Sequence, residues 1–272
     1  MSSHIEHESM ENYLETIHKL VSCMEHVRSV DVSRELNLSR PSVSRAIRIL
    51  KERNLVTVSE EGYISLTDEG HAIADRVLHI HTCLVTFLTS TAGISPEQAD
   101  IDACRIEHVV SDETVKGIEN YIKQHRLQSV VVDDEISSHF PDFSELLESG
   151  ENYLESILII RKTKNWIRSV DLARLLNVSR ASVSRAVNVL KQKGYLEIGD
   201  GNELLLTPKG EEIAKKIYGR HLHLEAFLKF TLGISEEVAD RDACRIEHMI
   251  SEPALIGIKK YLKNNGIKVK VR

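Results

Sequence analysis

Thiols, targeting signals and long apolar runs are scarce or missing in this chain of 272 residues. It holds four cysteines, none of them in a CxxC pair, which argues against a disulfide framework and favours a reducing compartment. No run approaches ~18 apolar residues, so the sequence predicts no membrane span. Its first residues, MSSHIEHE, have neither the basic nor the apolar region of a secretion signal. We therefore expect a cytoplasmic protein with no membrane partner.

Enzyme motifs are missing as well. The sequence has no HExxH, no nucleophile motif and no glycine-rich phosphate loop, so we expect no catalytic residues and no enzyme activity. The net charge of −6 argues against nucleic-acid binding over the whole surface, although the location of positive charge matters more than the total. Hydrophobic residues at 42% and charged residues at 28% are typical of a globular protein, and the length favours two domains or more.

Three stretches recur with a constant offset of 140 residues. ENYLE at 11–15 returns at 151–155, SVSRA at 42–46 returns at 182–186, and DACRIEH at 102–108 returns at 242–248. No insertion or deletion is needed between the copies. The pattern indicates two copies of one complete module, fused head to tail, rather than a solenoid.

The repeat also filters the candidate metal ligands. Of thirteen histidines and four cysteines, only three pairs recur: His81 with His221, His108 with His248, and Cys104 with Cys244. We interpret the cysteines that do not recur, Cys23 and Cys83, as small buried hydrophobic residues.

The DACRIEH heptapeptide places a Cys, a Glu and a His at i, i+3 and i+4. On a helix these side chains project from one face. A thiolate, a carboxylate and an imidazole that converge make a site for a divalent transition metal. The alternative is a half-buried cysteine beside a Glu and a His on a solvated face. The second copy favours the metal site.

A helix-turn-helix precedes each heptapeptide. Residues 29–36 and 40–51 are predicted helices joined at Asn37-Leu38-Ser39, with Ser39 as the cap of the second helix. Residues 40–53 contain five basic residues and one acidic residue, and residues 180–193 contain four basic residues and no acidic one, so each segment carries +4. A solvated helix face can be basic, but a helix shaped to enter a major groove favours DNA. Predicted hairpins at 55–66 and 195–206 would be wings.

The residues predicted to contact DNA are on the exposed side of each second helix, together with its cap. They are Ser39, Arg40, Pro41, Ser42, Ser44, Arg45 and Arg48 in the first copy, and Ser179, Arg180, Ala181, Ser182, Ser184, Arg185 and Asn188 in the second.

These patterns predict a mainly α fold, with tandem winged helix-turn-helix domains each followed by an all-helical dimerisation domain. The predicted ranges are a winged helix-turn-helix at 1–73, a helical metal-binding and dimerisation domain at 74–124, a linker at 125–147, a second winged helix-turn-helix at 148–213, and a second helical domain at 214–265.

Each module resembles a metal-dependent repressor of the diphtheria toxin repressor family, which includes the manganese transport regulators. The matching motifs are ENYLE at 11–15, SRPSVS at 39–44, LTxxG at 66–70, His81, and DACRIEHxxS at 102–111. They occur in order with the family's spacing and cover nearly all of both modules. By this resemblance, the metal ligands are Asn12, Glu15, His81, Cys104, Glu107 and His108, and Asn152, Glu155, His221, Cys244, Glu247 and His248.

The chain departs from both branches of that family. Asn12 and Asn152 stand where the iron branch usually has Met and the manganese branch Asp. Cys104 and Cys244 match the iron type, whereas Glu15 and its counterpart match the manganese type. The SH3-like domain of the iron branch has no match. Because a thiolate favours Fe²⁺ over Mn²⁺, we expect Fe²⁺ first and Mn²⁺ second, with Zn²⁺, Co²⁺ or Ni²⁺ binding in vitro.

The resemblance implies a repressor of metal-ion homeostasis genes that binds a double-stranded DNA operator when loaded with metal. Since family members act as two-fold dimers, we expect an intramolecular pseudo-dimer on an imperfect palindrome, and further pairing of chains stays open. One alternative is a winged-helix regulator that senses an organic ligand, with the Cys/Glu/His cluster in a structural role. The other is an enzyme that uses an open position on the metal.

Overall fold

The computed structural model describes residues 2–130, 148–162, 164 and 166–270. The chain divides into two compact units, Met1–Phe140 and Pro141–Arg272. Most of the expected linker, residues 131–147, lies outside the described residues. The described start of this linker still contacts unit 1, because the Val130 amide donates a hydrogen bond to Thr86 Oγ1 at 3.0 Å.

Both units have the same order of elements. Unit 1 contains α1 Ser2–Cys23, α2 Ser29–Glu35, α3 Arg40–Glu52, β1 Val56–Val58, β2 Ile64–Leu66, α4 Asp68–Ala92, α5 Pro96–Ile106 and α6 Asp112–Gln124. Unit 2 contains α7 Glu148–Arg161, α8 Ser169–Leu175, α9 Arg180–Gln192, β3 Leu196–Ile198, β4 Leu204–Leu206, α10 Pro208–Leu232, α11 Glu236–Ile246 and α12 Glu252–Asn264. The predicted fold class is confirmed. No helix among the described residues is long and apolar enough to cross a membrane.

Hydroxyl side chains cap the starts of most helices. Ser39 accepts a hydrogen bond from the Ser42 amide and caps α3, and Ser95 caps α5 in the same way. Thr67 caps α4 and also donates to the Asn54 carbonyl at 2.8 Å, which ties the wing to the long helix. Such caps satisfy amides that a helix leaves free at its start. Unit 2 repeats them at the offset of 140.

A core of apolar side chains joins the helix-turn-helix to the wing. In unit 1 it includes Leu14 and Ile17 of α1, Leu50 of α3 and Ile64 of β2, all fully buried. Each such side chain contributes roughly 1.5–3 kcal/mol by leaving water. The wing is an antiparallel pair in which Val56 faces Leu66. Because this core includes α1, the helix that bears Glu15 belongs to the winged helix-turn-helix half.

The long helix of each unit packs against elements of both halves. The expected domain boundaries, at 73/74 and 213/214, lie inside α4 and α10, so no loop separates the halves there. α4 packs against α1, α5 and α6. It therefore places His81 beside the elements that bear the other candidate ligands.

Candidate metal centre

Three elements bring the predicted ligands of each copy together. α1 carries Asn12 and Glu15, α4 carries His81, and the end of α5 carries the heptapeptide. α5 ends at Ile106, two residues before His108, and Glu107 is its C-cap with φ −59° and ψ −32°. Since these angles are still helical, Glu107 keeps the orientation expected on the helix face.

In unit 1 the Glu107 carboxylate is buried between two histidines. Its Oε2 lies 2.7 Å from His81 Nδ1, and its Oε1 faces His108 Nε2 at 3.4 Å. Neither Oε1 nor that Nε2 has a hydrogen-bond partner among the described residues. One ligand atom each of Glu15, Glu107 and His108 lies within 4.8 Å of the others. Buried polar atoms without partners are costly, and two oxygens with one imidazole nitrogen suit a divalent transition metal.

Unit 2 forms a related cluster with a different set of atoms. Glu155, His221 and Glu247 each offer an atom within 4.8 Å of the others. Among the described residues, Glu155 Oε1 and Glu247 Oε1 are buried without a hydrogen-bond partner. His248 Nε2 lies 2.8 Å from Asn152 Oδ1, so this predicted pair is in direct contact. The donors of unit 2 therefore also fit a divalent metal.

Each cluster concentrates negative charge away from water. Burial, and then the charge of Glu107, raise the pKa of Glu15 to about 7. Burial, and then the charge of Glu247, raise the pKa of Glu155 to about 8. Both effects disfavour the ionised carboxylate. A cation bound between the carboxylates would relieve both, because it adds an opposite charge where two like charges meet.

Hydrogen bonds to carboxylates raise the pKa of the histidines at these centres, which favours their protonated form. Burial alone would lower the pKa of His81, but hydrogen bonds to Asp100 and Glu107 outweigh it and raise the pKa to about 10. The same balance, with Glu247 as the main partner, raises the pKa of His221 to about 9. A metal that uses these nitrogens must displace a proton.

The cysteines lie at the margin of the clusters. Cys104 is half-buried and Cys244 is exposed, and neither belongs to the groups whose ligand atoms lie within 4.8 Å of one another. Burial, and then Glu247, raise the pKa of Cys244 to about 12, and burial likewise raises the pKa of Cys104. Cys83 is buried as expected, but the same expectation for Cys23 is wrong, because Cys23 ends α1 and is exposed.

Two pairs of acidic residues at the centres were missed by the sequence analysis. Glu11 Oε2 lies 3.0 Å from His108 Nδ1, and Asp100 Oδ1 lies 2.9 Å from His81 Nε2. Glu151 and Asp240 make the same contacts in unit 2, at 2.9 and 3.1 Å. Both pairs recur at the offset of 140, so the filter used for His and Cys would have found them among the acidic residues.

Unit 2 holds one further cluster of possible ligands. His221, Glu225 and Asp240 offer atoms within 4.8 Å of one another. In unit 1 the position of Glu225 is taken by Val85, which is buried and has no ligand atom. The two units therefore differ in the surroundings of the recurring histidine.

The predicted DNA-contacting residues lie on the exposed side of α3 and α9. In unit 1 all seven are exposed, whereas Val43, Ile47 and Leu50 on the opposite side are buried. In unit 2 Ser182 is half-buried and the other six are exposed. Arg48 lies 3.8 Å from Glu52 at the surface, a weak exposed pair. The basic side chains of both helices are thus accessible to a phosphate backbone.

Family models match both halves of both units. The iron dependent repressor N-terminal DNA binding domain matches residues 7–64 and 145–200. The iron dependent repressor metal binding and dimerisation domain matches residues 67–128 and 207–266. This chain belongs to the iron-dependent repressor family. The resemblance stated from the sequence is confirmed, and the tandem arrangement with it. The family comprises DNA-binding transcriptional regulators that bind divalent metals and dimerise, and not enzymes.

Relatives of this iron-dependent repressor chain match about one unit. An uncharacterised HTH-type transcriptional regulator of Methanocaldococcus jannaschii is 35% identical over 45% of this chain and 98% of its own length. The HTH-type transcriptional regulator MntR of Geobacillus kaustophilus is 39% identical over 39% of this chain and 75% of its own. The solved manganese regulator SloR is 24% identical with a TM-score of 0.39, over 42% of this chain and 53% of that one.

Proposed function

We propose that this chain is a metal-activated repressor of metal-ion homeostasis genes. The observation that carries the proposal is the position of the buried ligand atoms that lack a hydrogen bond among the described residues. Glu15 lies in the segment matched by the DNA-binding domain, whereas Glu107 and His108 lie in the segment matched by the metal-binding domain. The candidate centre therefore bridges the two halves of the unit. A purely structural cluster, as in a sensor of organic ligands, would leave Glu107 Oε1 and His108 Nε2 buried with only a 3.4 Å contact to each other and no hydrogen bond among the described residues, which is costly.

The residues around the centre prepare this bridge. Glu11 is hydrogen-bonded to Nδ1 of His108, and Asp100 to Nε2 of His81. Each hydrogen bond fixes the orientation of its imidazole ring. Glu15, Glu107 and His108 would hold the metal, which would link α1 to the Glu107–His108 turn. Without it, Glu15 and Glu107 repel, and α1 is free to shift relative to α5. The resulting preference for one arrangement of the DNA-reading half is expected to be about 1–3 kcal/mol per centre.

We propose Fe²⁺ as the physiological metal and Mn²⁺ as the alternative. The thiol of Cys104 and its repeat support Fe²⁺, since soft ligands favour it over Mn²⁺. Taken without the thiols, the oxygen and nitrogen atoms of Glu15, Glu107 and His108 suit either ion. The cysteines are therefore the residues that decide the preference between Fe²⁺ and Mn²⁺. A repressor that senses either metal acts on the chromosome, which supports a cytoplasmic location.

We infer that one chain serves as its own dimer on DNA. Family members dimerise, and both halves occur twice here. Half-sites about one DNA turn apart, roughly 34 Å, would then each receive one recognition helix. The helices differ, because Pro41 is replaced by Ala181 and Arg48 by Asn188. The preferred operator should be an imperfect palindrome.

The test combines operator selection with metal-dependent binding. Sites selected in vitro from random DNA should bind the chain about 5- to 150-fold more tightly with Fe²⁺ or Mn²⁺ than after chelation, given the coupling above. His81→Ala should remove much of this difference. His79→Ala on the same helix is the matched control, because His79 pairs with Glu119 instead. Equal operator affinity with and without metal would refute the proposal.

Operator asymmetry has a test of its own. The double variant P41A/R48N gives the first recognition helix the residues of the second at the two predicted DNA-contacting positions that differ. Its selected site should be more symmetric than that of the unmodified chain. A perfectly symmetric site for the unmodified chain would contradict the inference.

A further inference from the structure

A buried arginine joins two elements of the second metal centre. Arg220 is 9% exposed and lies on α10, immediately before the candidate ligand His221. Its Nε donates to the Glu247 carbonyl at 2.7 Å, and one terminal nitrogen donates to the Ile250 carbonyl. The other terminal nitrogen donates to Glu252 Oε2 at 3.1 Å. One side chain thus holds both ends of the turn that follows α11.

These contacts restrain the backbone that carries the ligands. Glu247 is the C-cap of α11, and its carbonyl would otherwise be one of the free carbonyls at a helix end. A guanidinium presents its donors in a rigid fork, so bonds to Glu247 and Ile250 fix the turn in two places. Because Arg220 is next to His221, the fork also fixes the distance between α10 and that turn. His221 and Glu247, two candidate ligands on different elements, are thereby held at a fixed separation.

The described residues of the first centre show no such fork at the matching position. The residue that corresponds to Arg220 is Ile80, which is buried and cannot donate a hydrogen bond. The acidic residue that corresponds to Glu252 is Asp112, which pairs instead with Arg76 at the surface. That arginine is 57% exposed, so its pair with Asp112 is solvent-screened. The two copies share the same types of candidate ligand, but among the described residues only the second has an arginine bonded to the turn that carries Glu247.

We propose that Arg220 is a positioning residue that preorganises the second metal centre, and that the chain therefore loads metal in two steps, with the second unit first. The proposal rests on the proposed metal-dependent function. A centre whose ligands are already held in place loses less conformational freedom on binding. One chain would then respond over a wider range of metal concentration than two equal centres allow.

Single-centre variants of the full chain measure the two affinities separately. His108→Ala leaves the second centre, and His248→Ala leaves the first. Mn²⁺ titrated alone, followed by electron paramagnetic resonance of the free ion, should show binding at least about tenfold tighter for His108→Ala than for His248→Ala. Loss of a group that orients metal ligands typically costs 10- to 100-fold in affinity.

The role of Arg220 is tested in the His108→Ala background. Arg220→Ile, which copies the first unit, should weaken Mn²⁺ binding by about tenfold, at the lower end of that range because Arg220 bonds the ligand backbone and not a ligand atom. Arg220→Lys, with a charge but no fork, should fall between. Arg76→Ile in the His248→Ala background is the matched control and should change little, because its partner lies at the surface.

A measurement without metal separates positioning from general stability. Amide hydrogen exchange of metal-free Arg220→Ile should accelerate at residues 247–252, while residues 107–112 of the same chain stay unchanged. If Arg220→Ile does not fold, the comparison of the two single-centre variants and Arg220→Lys still decides.

Equal or reversed affinities of the two centres would overturn the proposal, and so would an Arg220→Lys variant that binds as tightly as its parent. Failure of the proposed function gives a different result. In that case neither centre would bind Mn²⁺ with an effect on DNA binding, whatever residue occupies position 220.

Discussion

At the scale of single residues, Glu15 and Glu155 are the carboxyl groups of one half of each unit that face a carboxylate of the other half, Glu107 and Glu247 respectively. Each is a carboxyl group taken out of water next to another carboxylate, so its pKa rises to about 7 and about 8, respectively. An isolated protein without a cation must keep these groups partly protonated. Metal binding at these residues would therefore release protons.

Metal affinity should fall as the pH falls. Glu15 gains its proton between about pH 8 and pH 6, and Glu155 between about pH 9 and pH 7. His81 and His221 hold theirs through most of this range, since their pKa values are about 10 and about 9. A metal must displace these protons, so affinity should drop about tenfold per pH unit for each proton released.

Calorimetry in buffers of different ionisation enthalpy counts the protons that metal binding releases. Glu15→Gln should release fewer, whereas Glu97→Gln, at an exposed carboxyl, should release as many as the parent; a pH-independent affinity would contradict the assignment.

The cysteines should decide metal preference. Cys104→Ala with Cys244→Ala should weaken Fe²⁺ binding under anaerobic conditions by roughly tenfold or more, and Mn²⁺ binding much less, because only the softer ion gains from a thiolate. Cys23→Ala is the control, since Cys23 is exposed at the end of α1. If the paired alanine variant keeps its Fe²⁺ affinity, the thiols are not ligands and the clusters of oxygen and nitrogen atoms bind the metal alone.

At the scale of elements, the long helices α4 and α10 connect DNA reading to metal binding. Each has 25 residues and begins against the wing before it reaches the recurring histidine. Its start is set by a close approach of backbones. A Cβ at Gly70 would lie 2.1 Å from the Leu55 carbonyl oxygen, and one at Gly210 would lie 1.9 Å from that of Tyr195. Only glycine lets the helix enter at this angle.

Gly70→Ala should therefore destabilise unit 1. The added methyl group must push the helix away from the wing, at a cost of about 1–3 kcal/mol, measured by urea unfolding. The control is Gly219→Ala inside α10, where a Cβ meets nothing within 4 Å. That change should stabilise by about 0.5–1 kcal/mol, because alanine loses less backbone entropy in a helix. A Gly70→Ala chain as stable as its parent would show that the helix start can shift freely.

At the scale of the whole molecule, the tandem repeat places two similar but unequal units in one chain. Two units with the same elements and the same cap positions share one backbone, yet their recognition helices and their metal centres differ. Linking two binding modules raises the effective concentration of the second once the first is bound. A tandem chain can therefore read two unequal half-sites without the symmetry that two separate, identical chains impose.

One chain should occupy one operator. Native mass spectrometry or light scattering of the metal-loaded complex should give a single chain per duplex, and binding should not depend on the second power of protein concentration. A duplex trimmed to one half-site should bind more weakly, because the second unit loses its contacts. Two chains on a full operator would contradict the pseudo-dimer.

Much of this protein could be read from its sequence because the repeat is an alignment within one chain. Identity at a constant offset separated His81, His108 and Cys104 from residues of the same type, and cap residues such as Ser39 and Ser95 predicted where helices begin. These inferences need only neighbours in sequence or a second copy, so no tertiary contact had to be known.

The tertiary structure decided which side chains meet. Glu11 and His108 are 97 residues apart in sequence, and no local pattern brings them together. The placement of the cysteines outside the ligand clusters and the burial of Arg220 over the Glu247–Ile250 turn depend in the same way on how helices pack. Convergence and burial arise from contacts between distant elements, whereas element type and residue chemistry are written along the chain itself.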